Sequence, residues 1–312
     1  MTLSLLPRLR VALPLLAIAV LSAETAAQGA GPACPAPADS VRLRLDHVPI
    51  AVRDLDAAVR TFSALGFSFK PGRPHENSIL NQHVKFADGS ALELITATER
   101  RDDLARYYLD FQARGEGGAY LSLDAGPVAP ISAAIRPIEP DHHVTPGSYF
   151  ESLGFEGAHP LRYLFFILVQ SRPPDLPEHL SHANGAARLA AVWVRRHDPS
   201  HERRLLERLG ARACPSTLRL PVGGMASEMR LERGSLYLVA SPGAAPARAV
   251  VGVTVEVPDL AAARRAVALP DTAVQRGRDP RGEWLRIPPA HAHGIWIELL
   301  RPVARQQQAK RE

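Results

Sequence analysis

Two residues in the first third of the chain have types and a spacing that can hold a divalent metal. His47 lies in the strand-like run Leu45-Asp46-His47-Val48-Pro49-Ile50-Ala51-Val52, and Glu93 in Ala91-Leu92-Glu93-Leu94-Ile95. Neutral imidazole and carboxylate suit Zn, Ni, Mn or Fe, and a centre that turns over substrate keeps coordination positions open. Leu92 and Leu94 share one face of their strand, so Glu93 shares the other with Ala91 and Ile95. A carboxylate among apolar neighbours is costly unless it is paired or metal-bound. Glu93 is therefore the strongest functional candidate; its plain alternative is a salt bridge to an arginine on an open sheet face. His47 has the plain alternative of a hydrogen-bonded strand histidine.

Five more candidates stand between these two: His75, Asn77, Asn81, His83 and Lys85. Histidine titrates near neutral pH, so His75 or His83 can act as a catalytic base or as a third ligand. His83 and Lys85 share a strand face, and Asn77 sits in a loop from which it can reach a ligand carbonyl. Asn77, Asn81 and Lys85 are the candidate substrate contacts.

These residues need a scaffold, and the chain repeats one. Asp54 is placed to cap a helix over Leu55–Leu65, which Gly66 ends, and strands follow near 67–70, 81–86 and 91–96. A last copy begins with the strand 250–257, repeats the turn as Pro258-Asp259-Leu260 and closes with Trp296-Ile297-Glu298-Leu299. A third copy starts at 188–194, has its helix after Asp198 and closes at 234–239; the second is faint, with a strand at 119–123, a proline-rich stretch at 127–140 and a strand at 162–169. The ligand positions do not repeat. Gly252 and Ala191 stand where His47 does, Leu238 stands where Glu93 does in the third copy, and only Glu298 matches Glu93.

A βαβββ repeat with an early His and a late Glu resembles the vicinal oxygen chelate superfamily, and the segment from His75 to Ile95 resembles its glyoxalase-like branch. The resemblance implies an α+β fold: four βαβββ modules paired into two half-open mixed-sheet barrels with helices outside. It implies domains at 41–180 and 188–303, a divalent metal held by His47 and Glu93, His83 or His75 as catalytic residues, and a small oxygen-rich substrate for a lyase, isomerase or dioxygenase-type reaction. A metal-free protein of the same fold that binds or sequesters a small molecule is the alternative.

Composition narrows the partners. The chain has 312 residues, 46% of them hydrophobic, and a formal charge of +5. Its arginines are scattered along helix faces and no basic run is interleaved with aromatics, which argues against nucleic acid. Arg8 and Arg10 followed by the apolar run Val11–Ala23 read as an export signal over 1–27, too short to span a bilayer comfortably. A flexible leader follows at 28–40, and a polar tail at 304–312 ends the chain. The mature protein is then expected in the periplasm or outside the cell, with a small-molecule ligand and no membrane. Cys34 and Cys214 can form one disulfide there, though nothing in their spacing shows that they meet. His142, His143, His179, His182, His291 and His293 lie in loops or beside turns and are read as structural. No phosphate-binding glycine loop and no Gly-x-Ser-x-Gly motif occurs.

Overall fold

The computed structural model describes Cys34 and residues 42–73, 75–147, 150–170, 174–241 and 248–303. The expected export signal, the polar tail and all of the expected leader except Cys34 lie outside the described residues. No helix among the described residues is long and apolar enough to cross a membrane.

The order strand, helix, three strands occurs four times. The first unit runs from Arg44–Ala51 through the helix Leu55–Ala64 to Lys70–Pro71, Ile79–Lys85 and Ala91–Ala97. Its helix starts where the side chain of Asp54 accepts the Ala57 N–H at 2.9 Å, and it stops at Gly66, whose φ of 89° is left-handed. The third unit opens with Arg188–Arg196 and the helix Ser200–Arg208, and the fourth with Val250–Glu256 and the helix Leu260–Ala266, capped by Asp259. In the faint second unit the proline-rich stretch folds into the helix Val128–Ile135, with Pro127 at its cap and Pro130 in its first turn. Proline is tolerated there because those N–H groups have no partner inside the helix.

The strands join in one mixed α+β sheet of seventeen strands. In each unit the closing strand runs parallel to the opening strand. The opening strands pair antiparallel, Arg44–Ala51 with Leu121–Asp124 and Arg188–Arg196 with Val250–Glu256. The four unit helices cover one face: Phe62, Ile131, Leu205 and Ala263 bury against Val48, Leu92, Leu236 and Leu299 in a single core.

A further helix, Asp103–Ala113, lies outside this repeat and packs on the other face. There Tyr108 and Phe111 meet Ile95, Ala97 and Tyr120. Gln112 fixes it by donating to the Val52 carbonyl at 2.8 Å and to Thr96 Oγ1 at 3.0 Å. This helix, with the strand end beyond it, walls the face that carries Glu93.

Cys34 and Cys214 form a disulfide, the pairing that the sequence left open. It ties the leader to the strand Arg212–Cys214 across 180 residues of chain. Cross-links closing long loops stabilise by about 2–5 kcal/mol. The paired variant Cys34→Ser/Cys214→Ser is expected to lose that much in urea unfolding without reductant, and a midpoint equal to wild type would remove the stabilising role.

Candidate active site on the first unit

The strand pairing brings four candidates together. Leu92 and Leu94 point into the helix-covered core, so Glu93 projects from the opposite face with Ala91 and Ile95. On one neighbouring strand His83 stands directly across from Glu93, and Asn81 across from Ile95. On the other, parallel, neighbour His47 stands across from Ala91, two pairs before Glu93 and on the same face. The register between Arg44–Ala51 and its antiparallel partner shifts between Leu45 and His47. Such a bulge re-aims side chains, and here consecutive residues meet: the buried Asp46 accepts the His47 Nδ1–H at 2.5 Å.

Glu93 is the hub. Asn81 donates its amide N–H to Glu93 Oε1 at 2.6 Å, His83 Nε2 lies 3.5 Å from the same oxygen, and His47 Nε2 lies 3.4 Å from Oε2. Burial works against a charged His47, but the hydrogen bonds and charges of Asp46 and Glu93 outweigh it and raise the imidazole to about 9. Burial likewise opposes a charged Glu93, and the hydrogen bonds and charges of His47 and His83 hold it well below the usual carboxylate range. At neutral pH His47 is therefore an imidazolium clamped between two carboxylates. The edge of Phe165, from the second unit, closes over its ring at a centroid distance of 5.7 Å, and Tyr120 packs edge-on against Phe165.

His75 joins from the loop and behaves oppositely. Burial and the charge of Arg73 lower its pKa against the pull of Glu93, so its ring is neutral at pH 7. Its Nε2 is buried without a hydrogen-bond partner, as is Asn81 Oδ1. Asn77 is turned elsewhere: its amide donates at 2.8 Å to Asp102, the cap of the helix Asp103–Ala113. Lys85 is buried at the strand end opposite Ala91, on the face of His83.

Several histidines read as structural have structural partners. His182 accepts the Ser68 N–H at Nδ1, at 3.0 Å, and donates from Nε2 to the Lys85 carbonyl at 2.8 Å. His142 is held between Ser132 and the Glu139 carbonyl.

A family model described as a glyoxalase-like domain matches residues 45–210, more than half of the chain and all of the site above. The chain belongs to the glyoxalase-like domain family. It is thereby a member of the vicinal oxygen chelate superfamily. No functionally curated protein matches the sequence. Among solved structures it is similar to a hypothetical protein from Staphylococcus aureus, with 10% identity over 82% of this chain and 98% of that one and a TM-score of 0.53. It is also similar to a mutant of homoprotocatechuate 2,3-dioxygenase from Brevibacterium fuscum, with 15% identity over 86% and 73% of the two chains and a TM-score of 0.55. A xylose isomerase-like TIM barrel/4-hydroxyphenylpyruvate dioxygenase fusion protein shares 13% identity over 87% of this chain and half of its own length, with a TM-score of 0.56. At these identities the likeness is one of fold.

In this glyoxalase-like chain the donor types suit a metal, but their placement does not. Among the described residues no three His, Cys, Asp or Glu side chains are set to hold one ion. His47 Nδ1 faces Asp46 and its Nε2 faces Glu93 Oε2, while Asn81 donates to Glu93 Oε1. The expected metal pair, His47 and Glu93, stands in the structure as an ion cluster with Asp46, His83 and Asn81.

The fourth glyoxalase-like unit shows the same position filled by protein. Glu298 is fully buried and accepts from Thr254 at 2.9 Å, from Arg281 at 2.7 and 3.0 Å and from Arg286 at 2.7 Å. Arg286 stands directly across from Glu298, as His83 does from Glu93. Gly252, in the register of His47, lies under Trp193: a Cβ there would come within 2.3 Å of the indole ring. In the third unit Leu238 faces the helix-covered core, and Tyr237, across from Trp193, takes the position expected of Leu238.

Proposed function

We propose that this protein is a glyoxalase-like enzyme that moves a proton on a small oxygen-rich molecule, in the manner of a lyase or isomerase. The observation that carries this reading is the contrast of two histidines beside one buried carboxylate: His47 clamped by Asp46 and Glu93, and His75 with its buried Nε2 unpartnered. Environments that push two titratable groups apart mark the acid and the base of a site.

The neutral His75 takes a proton from carbon next to a carbonyl, and the His47 imidazolium, whose two N–H groups face Asp46 and Glu93, lends its positive charge to the oxygen on which negative charge develops. Glu93 and Asp46 keep His47 charged and aimed. Asn81 Nδ2 holds Glu93 in place. His83 and Lys85 complete the polar side, and Phe165 and Tyr120 form the apolar side. The four units serve as βαβββ modules, paired one with two and three with four into half-open barrels, with only the first barrel chemically active. Export to the periplasm or beyond is supported by the Cys34–Cys214 disulfide, which suits an oxidising compartment.

Exchange of carbon-bound hydrogen tests the reading. A panel of 2-hydroxycarbonyl and 1,2-dicarbonyl compounds in D2O, followed by proton NMR with chelator-treated protein, is expected to show catalysed exchange for at least one member. His75→Ala is expected to slow it by about 100-fold or more. Saturable binding without exchange would favour the sequestering role for which the aromatic side is suited. Exchange restored only by added Zn, Ni, Mn or Fe would return His47, His83 and Glu93 to the role of ligands.

A further inference from the structure

A second cluster of basic side chains, none of them in the Glu93 site, lies where the first and fourth units meet. A cleft of about 810 Å³ opens between the end of the helix Leu55–Ala64, residues 114–116, Arg248 and residues 289–294 of the fourth unit. Its one carboxylate is already engaged: Glu116 accepts the Arg53 backbone N–H at 2.8 Å and faces His293 Nδ1 at 2.9 Å. His293 is held there by a left-handed backbone, φ 48°, rare for a residue with a Cβ, and its Nε2 meets Thr61 Oγ1 at 3.1 Å.

The cations of the cleft are not matched in this way. Arg248 reaches across to donate to the Arg114 carbonyl at 3.0 Å, with its guanidinium over the Phe111 ring. Gly115, at φ 123°, makes this approach possible, since a Cβ there would lie 2.3 Å from Arg248 Nη2. Among the described residues neither Arg114 nor Arg248 has an ion-pair partner, and the His291 ring makes no hydrogen bond. Burial and the charges of Arg114 and Arg53 push Arg248 below its ordinary value, against the pull of Glu116. Like charges held together in a cleft, with their carboxylate taken, focus a positive potential that an anion relieves.

We propose that this cleft binds a multiply charged oxyanion, a phosphate or a small di- or tricarboxylate, between Arg114 and Arg248 with His291 at the rim. Guanidinium groups match both chemistries through paired N–H donors. The site is independent of the proton-transfer reading, because it shares no residue with it.

Calorimetric titration of the full, disulfide-intact chain with inorganic phosphate, and separately with citrate, tests the proposal at ionic strength fixed with chloride. Saturable one-site binding of either anion is expected; which of the two binds identifies the chemistry. Arg114→Gln, whose side chain supports no contact of the fold, is expected to weaken binding by about tenfold or more, the loss of one charge-assisted hydrogen bond. Arg248→Lys, which keeps the charge but not the fork, is expected to weaken it as well, and Glu93→Gln to leave it unchanged. The proposal is overturned if neither anion binds beyond the chloride control, or if Arg114→Gln and Arg248→Lys bind as wild type does.

Discussion

Glu298→Gln will destabilise the protein by about 3–5 kcal/mol, the cost of breaking a buried ion pair by removing one partner. Glu298 takes four hydrogen bonds on its two oxygens, three of them from Arg281 and Arg286. An amide keeps the shape but turns one of those oxygens into a donor that faces guanidinium donors. Arg286 is buried between the Glu298 carboxylate and the Trp284 ring, 3.8 Å from its centroid, with Trp193 beside it. Trp193 in turn donates to Thr254, which donates to Glu298, so the disturbance reaches the opening strands of two units. Urea unfolding measures the loss. Because guanidinium does not titrate in this range, the loss is expected to be the same at pH 6.5 and pH 9. A cost below about 1 kcal/mol, the scale of ordinary surface changes, would show that the network is dispensable.

That network also shows why a matching carboxylate in a repeat is weak evidence for a matching site. Periodicity placed Glu298 correctly opposite Glu93 in the repeat, because alternation on a flat closing strand is a local property. What it could not show was the occupant of the space in front of each carboxylate. Arg286 comes from the neighbouring strand and Arg281 from the turn before it, while Trp193 arrives from another unit over Gly252. In the first unit the same local pattern leaves a histidine, not an arginine, across from Glu93.

The parts of the site that escaped sequence reading share a physical cause. Asp46 is adjacent to His47, and strict alternation sends neighbours to opposite faces; the register shift after Leu45 cancels that rule. A buried acid next to a candidate histidine was the available signal. The third unit slips by one residue for a similar reason: a continuous apolar run, Leu236 to Val239, has no polar residue to mark which face is which, so Tyr237 and Leu238 exchange roles. The helix Asp103–Ala113 sits where the repeat has no element, and its Asp102 cap and the spacing of Tyr108 and Phe111 were the only local clues. By contrast Asp54, Asp259 and Gly66 marked helix ends correctly, since caps depend on the backbone within one turn.

Glu93→Gln is expected to act through pH rather than uniformly. The raised pKa of His47 means that its ion partnership stabilises the fold fully below the ordinary value of 6.5 and is lost as pH rises through about 9. Glu93 has the opposite sign: its lowered pKa contributes stability above the ordinary carboxylate value of 4.5, lost as the pH falls. The two describe one attraction seen from both partners, so it counts once, and it is complete between pH 4.5 and 6.5. Raising an imidazole from 6.5 to about 9 corresponds to roughly 3 kcal/mol in all. Asp46 supplies part of that and remains in the variant. Glu93→Gln should therefore pull the His47 titration down from about 9, since burial still opposes the charge and Asp46 alone remains to favour it, as followed by proton NMR of the imidazole. Its stability deficit against wild type should be largest near pH 6 and shrink towards pH 9, where His47 gives up its proton in wild type too. Asp46→Asn should lower the same titration while Glu93 stays in place. A His47 titration that does not move in either variant would separate His47 from both carboxylates and remove the acid from the proposed reaction. A deficit that stays constant from pH 6 to 9 would give Glu93 the purely structural part that Glu298 plays in the fourth unit.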